Sequence, residues 1–131
     1  MVDRTGIPLA VVLTAANVNE CTMLATVVDA IRPTKQANRR RRKRPRKLHA
    51  DKGYDYRFCR DLLRQRHIIP RIARKGIESS QRLGRHRWVV ERTLAWLNRF
   101  RRLTIRYERR ADIHQAFLTL GCALICWNFL P

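Results

Sequence analysis

Short β-branched apolar runs alternate along this chain with segments whose apolar residues recur every three or four positions. That alternation restricts the fold more than any other feature. A turn at Arg4, Thr5 and Gly6 leads into "IPLAVVLT", Ile7 to Thr14, apolar on both faces and so expected as a central strand. "VNECTMLATVVDAI" places Met23, Leu24, Val27, Val28 and Ile31 at helical spacing, with Asn19 as N-cap and Pro33 as the stop. "KLHA" predicts a short strand ending at Asp51. Gly53 turns the chain into a helix over "YRFCRDLLRQRH", with Phe58, Leu62 and Leu63 on one face. "IIPRIA", Ile68 to Ala73, is a further strand that Pro70 pushes towards an edge. The longest helical pattern is "GRHRWVVERTLAWLNRFRRL". Trp88, Val89, Leu94, Trp96, Leu97 and Phe100 supply its apolar faces, and Arg87, Glu91 and Asn98 fall near another stripe. "ADIHQAFLTLGCALICWNFL" predicts a closing helix with Ile113, Phe117, Leu120, Leu124 and Trp127 buried and Asp112 as N-cap. Strand, helix, strand, helix, strand, helix, helix means an α/β layered domain.

Charge narrows the partner. The 131 residues make one domain or part of one, and Lys plus Arg number 29 against 10 acids, a formal charge of +19. Such an excess points to a polyanion, most simply nucleic acid. It is densest between positions 32 and 46, where Arg40, Arg41, Arg42 and Lys43 sit in an expected flexible, solvated linker that can still lie on phosphates. A hydrophobic fraction of 45% argues against disorder for most of the chain. No basic amphipathic anchor is visible, and "FLTLGCALICWNFL" is shorter than the roughly 20 residues a spanning helix requires. Asp3 and Arg4 cancel ahead of the apolar run at Gly6 to Ala16, unlike a signal peptide. Cys21, Cys59, Cys122 and Cys126 form no CxxC pair. Cys122 and Cys126 read as buried thiols, and no ligand set with His114 has zinc spacing. A cytoplasmic, nucleoid-associated protein with no membrane partner is expected.

Two acids stand out. Asp51 lies at the C-terminal end of a strand, where open α/β sheets place ligands. It could equally cap the following helix or pair with Lys52. Glu91 lies mid-helix among apolar residues, and Arg87 one turn earlier could be a simple ion-pair partner worth about 0.3–0.5 kcal/mol. A strand-end carboxylate with one from a helix packed on the sheet is also a way to hold Mg²⁺ or Mn²⁺, whose hard character suits oxygen ligands. Two such ions can activate a nucleophile and stabilise a leaving oxygen on phosphate.

At these residues the chain resembles the DDE transposases of bacterial insertion sequences, in the IS-five/IS-four group. "LHADKGYD" is similar to the segment carrying that family's second catalytic Asp, and "GRHRWVVERTLAWLNRFRRLTIRYERRADIH" to its catalytic-Glu region. "GIPLAVVLTAANVNE" resembles the strand before the insertion that separates the first two acids. In the family pattern Y-x₂-R-x₃-E-x₆-K, Arg87 matches the Arg and Glu91 the Glu. Gly84 stands at the Tyr position and Asn98 at the Lys position. Because Asn98 departs from that pattern, Arg99 next door or Arg102 is expected to take over the cationic role.

The resemblance implies an RNase H-like α/β fold, a mixed sheet with flanking helices, lacking its first strand and most of its second. Residues 1–131 would be a partial catalytic domain. Asp51 and Glu91 would be catalytic and hold divalent metal, with Arg87 orienting Glu91 or contacting phosphate. The complete enzyme would cleave phosphodiesters at the element's ends and join the freed 3′-hydroxyl to target DNA. No residue here takes the role of the first catalytic Asp, so the chain alone is expected to be inactive. A homo-oligomer on DNA and an upstream frame product of the same element are the expected partners. The alternative is a non-enzymatic basic nucleic-acid-binding protein, for which charge alone would suffice.

Overall fold

The computed structural model describes residues 1–35, 41–42, 44–77 and 80–130; side chains at 34–35, 41–42 and 80–87 lie outside the description. The chain divides into two compact units, one of Met1–Ala15 with Trp88–Pro131 and the other of Ala16–Arg87.

In the Ala16–Arg87 unit, Asn19 caps a 3₁₀ turn at Glu20–Met23, its side-chain oxygen accepting from the Cys21 amide. The turn runs into helix α1, Leu24–Asp29, which buries Leu24 and Val28. In the basic segment, strand β1 (Thr34–Lys35) pairs antiparallel with β2 (Arg41–Arg42). Strand β3, Lys47–Ala50, precedes helix α2, Arg57–Gln65, and strand β4, Ile69–Ile72. β3 and β4 are parallel, with Leu48 opposite Pro70 and His49 opposite Arg71, and α2 packs on β4. A parallel pair needs such a crossover connection, and the helix supplies it. Helix α2 buries Cys59 and Leu63 completely. Phe58, expected on the buried face, is 48% exposed and stacks on Tyr56.

The other unit contains helix α3, Ser80–Leu97, from Trp88 onward, then the short helix α4, Arg101–Thr104, and α5, Ala111–Trp127. Leu97, Cys122 and Ile125 form its core, with Val11, Trp96, Phe100, Leu103 and Leu118 packed around them. Three expectations are corrected here. Residues Ile7 to Thr14 form no ladder strand among the described residues; only an isolated antiparallel bridge joins Val2 to Pro8. Their backbone bonds go elsewhere, from Leu9 N to Met1 O at 3.0 Å and from Leu13 N to Gln115 Oε1 at 2.7 Å. In α5 the buried residues are His114, Gly121, Cys122 and Ile125, whereas Ile113, Leu120, Leu124 and Trp127 are exposed. The helix is apolar nearly all round, so periodicity could not choose its inward face. Asp112 does not cap α5; it pairs with Arg110, which occupies the N-cap position. The architecture is α/β, with one small parallel sheet and several helices.

Candidate active site

The strand-end acid is set by its local sequence. Asp51 follows β3 directly and is exposed, and its Oδ1 accepts from the Gly53 amide at 2.9 Å, capping a single 3₁₀ turn at Lys52–Tyr54. A Cβ at Gly53 would come within 3.0 Å of that oxygen, so glycine is what lets the carboxylate fold over the turn. The cap reading and the ligand reading are therefore compatible. Capping uses one oxygen, and Oδ2 has no hydrogen-bond or ion-pair partner among the described residues.

The neighbouring acid is occupied. Arg60 donates to Asp55 Oδ1 and also reaches the Ile72 carbonyl at 3.2 Å, while the Lys75 amide donates to Asp55 Oδ2 at 2.8 Å. The Arg60 hydrogen bond, then the Lys75 amide, hold the Asp55 carboxyl below its ordinary range. Asp55 thus ties the loop after β3 to the end of β4 and leaves Asp51 as the outward-facing carboxylate. Tyr54 lies between these acids in sequence and is half-buried. Burial pushes its hydroxyl up to about 12, with the charges of Glu20 and Asp51 adding to the effect. Sequence reasoning missed both Glu20 and Tyr54. The only signal was the Tyr three residues after Asp51.

Glu91 is exposed on α3 in the Trp88–Pro131 segment, so the two acids belong to different compact units and each is described within its own. Arg87 lies one turn before Glu91, with its side chain outside the described residues. Arg99 is exposed in the turn after α3. Arg102, on α4, pairs with Glu108 at 2.8 Å and lies over the Tyr107 and Phe117 rings, yet its side chain stays 60% exposed. Arg102 draws the Glu108 carboxyl below its ordinary range. Arg41 and Arg42 form strand β2, and Arg40 and Lys43 lie outside the described residues.

Exposed carboxylates are hard donors of the kind Mg²⁺ or Mn²⁺ takes, and Mg²⁺ commonly uses only one or two of them alongside water and substrate phosphate. Asp51 and Glu91, each exposed in its own unit, are donors of that chemical kind. Among the described residues, no three His, Cys, Asp or Glu lie together in a metal-holding group. All four cysteines are free thiols, three of them buried. No helix among the described residues is long and apolar enough to cross a membrane.

The α/β scaffold thus carries an exposed acid at a strand end in one unit, another on a long helix in the other, and a large cationic excess. The family model described as "Transposase DDE domain" matches residues 1–129, and the chain belongs to that family. It is 56% identical over 128 residues to a Burkholderia cepacia protein named "Putative transposase for insertion sequence element IS402". That match takes in 98% of this chain but spans only 61% of the relative's length. No solved structure matches.

Proposed function

We propose that these residues are the C-terminal part of the catalytic domain of an insertion-sequence transposase with an RNase H-like fold. In the complete enzyme, water hydrolyses a phosphodiester at the element's end to free a 3′-hydroxyl, which then attacks a target phosphodiester, bonding to its phosphorus while the target strand's 3′-oxygen leaves as a hydroxyl. Asp51 and Glu91 hold the divalent ion, and Arg87 orients Glu91 or meets a phosphate. The exposed arginines, Arg99 among them, hold the DNA backbone with the basic run at 40–43. When bound, Mg²⁺ or Mn²⁺ supplies Lewis-acid stabilisation of charge on the phosphate oxygens. These residues contribute two of three carboxylates, so the 131-residue chain alone is not expected to cut DNA. Partners are the element's ends, target DNA, further copies of the chain and an upstream segment of the same element. Such a protein works in the cytoplasm on the nucleoid.

The observation that supports this most is the division of labour after β3: Asp55 is held by Arg60 while Asp51 faces outward. The test is cleavage of a labelled terminal-repeat duplex by the chain joined to upstream sequence of the element. Cutting should require Mg²⁺ or Mn²⁺ and should vanish in Asp51→Asn and in Glu91→Gln. Full activity in Glu91→Gln would overturn the assignment. A non-enzymatic nucleic-acid binder is the second reading, favoured by the formal charge of +19, which would suffice for binding by itself. Under it, Asp51→Asn loses nothing.

A further inference from the structure

The residues that follow Glu91 on α3 are used in an unusual way. Arg92 lies with its guanidinium over the rings of both Trp88 and Trp96, 4.4 and 4.9 Å from their centroids, one helical turn to either side. From there it donates to the Thr5 carbonyl. Thr93 is buried, and its hydroxyl donates to the next carbonyl, that of Gly6, at 2.6 Å. Consecutive side chains of one helical turn thus grip consecutive carbonyls of the turn at Asp3–Ile7.

That turn is itself stiff. Asp3 Oδ1 accepts from the Thr5 amide and the Thr5 hydroxyl at 2.8 Å each, and from the Ile7 amide at 2.9 Å. Gly6 has φ +87°, and a Cβ there would meet Arg92 Nη2 and Thr93 Oγ1, each at 3.1 Å. The contact is built for glycine.

Successive residues of a helix point about 100° apart, so fixing two adjacent side chains to a rigid turn fixes the direction of the one before them. We propose that Arg92 and Thr93 are positioning residues, which brace α3 against the Asp3–Ile7 turn and so set the direction in which the Glu91 carboxylate leaves the helix. The inference rests on Glu91 being a metal ligand and adds what aims it. Arginine suits the task because its planar group stacks on indoles while its fork reaches a carbonyl.

The test is Mn²⁺ binding by the 131-residue chain, read from the electron paramagnetic resonance signal of the free ion, alongside near- and far-UV circular dichroism. Arg92→Met and Thr93→Val should each weaken Mn²⁺ binding by about tenfold with the spectra retained. Thr93→Ser, which keeps the hydroxyl, should bind as the unaltered chain does. Arg92→Lys keeps the charge over the indoles but loses the fork, and should weaken binding by a smaller factor. Unchanged Mn²⁺ affinity in whichever of Arg92→Met, Arg92→Lys and Thr93→Val keeps its native spectra overturns the inference. Glu91→Gln separates the two claims. If it leaves Mn²⁺ binding intact, Glu91 is no ligand and the inference falls with that reading; if it abolishes binding while the Arg92 and Thr93 variants do not, the positioning role alone is refuted.

Discussion

The Gly53 amide donates to Asp51 Oδ1 at 2.9 Å, and a Cβ at position 53 would come within 3.0 Å of the same oxygen. The carboxylate and the missing side chain therefore occupy one space. Gly53→Ala must push the Asp51 carboxylate aside by a few tenths of an ångström. In the complete enzyme this should cut metal-dependent cleavage by up to about tenfold, since small misplacements of a reacting group are costly. DNA binding should not change. Gel-shift and cleavage assays on one duplex separate the two, and unaltered cleavage would show that Asp51 needs no such placement.

The Asp55–Arg60 pair predicts a pH signature. Arg60 and the Lys75 amide depress the Asp55 carboxyl in the folded state. A group with a depressed folded pKa contributes stability that is fully present above its unfolded value, about 3.9, and lost as pH falls through the folded value. Arg60→Ala should therefore melt below the unaltered chain at pH 7, and the gap should narrow as pH drops below about 4. Part of the gap will persist because Arg60 also holds the Ile72 carbonyl. Thermal melts at pH 7 and pH 3 check this, and a gap of constant size would mean that Asp55 is not what Arg60 stabilises.

What could be read from the sequence depended on whether a local pattern was sufficient. β3, Asp51 and α2 were legible because a short apolar run, a capping acid and Gly53 each act over a few residues. The pairing of Ile7 to Thr14 was not, because β-branched composition says only that a segment can pair, never that a partner is beside it. The face of α5 was ambiguous because Ile113, Phe117, Leu120, Leu124 and Trp127 keep helical spacing as well as His114, Leu118, Cys122 and Ile125 do. Asp51 and Glu91 were singled out by position and resemblance. The grip of Arg60 on Asp55, and of Arg92 and Thr93 on the Asp3–Ile7 turn, spans contacts that no local pattern encodes.

The corrected face of α5 makes a direct stability prediction. Ile125 is 4% exposed, whereas Leu124 beside it is 45% exposed. Ile125→Ala removes a buried side chain and leaves a cavity, which costs about 2–5 kcal/mol. Leu124→Ala should cost less than about 1 kcal/mol, as substitutions at exposed positions do. Urea unfolding of the two variants measures the difference. A larger loss in Leu124→Ala would restore the inward face that periodicity suggested.

DNA affinity should follow the charge and not the carboxylates. The chain carries +19, and a contact that neutralises about six phosphates gives log K against log salt a slope of about −5. Asp51→Asn and Glu91→Gln each remove a negative charge and leave the number of Lys and Arg residues unchanged. Both should keep that slope and bind as tightly as the unaltered chain or slightly more so, while the proposed roles of Asp51 and Glu91 require the same changes to stop cleavage in the complete enzyme. Converting Arg99 to Gln should act the other way, weakening binding on every duplex and bringing the slope nearer zero by about one unit if Arg99 meets a phosphate. Fluorescence anisotropy on terminal-repeat and scrambled duplexes across a salt series reads all of these quantities together. Salt-independent binding would remove the electrostatic account, and loss of binding in Asp51→Asn would mean that the carboxylate serves the DNA complex itself.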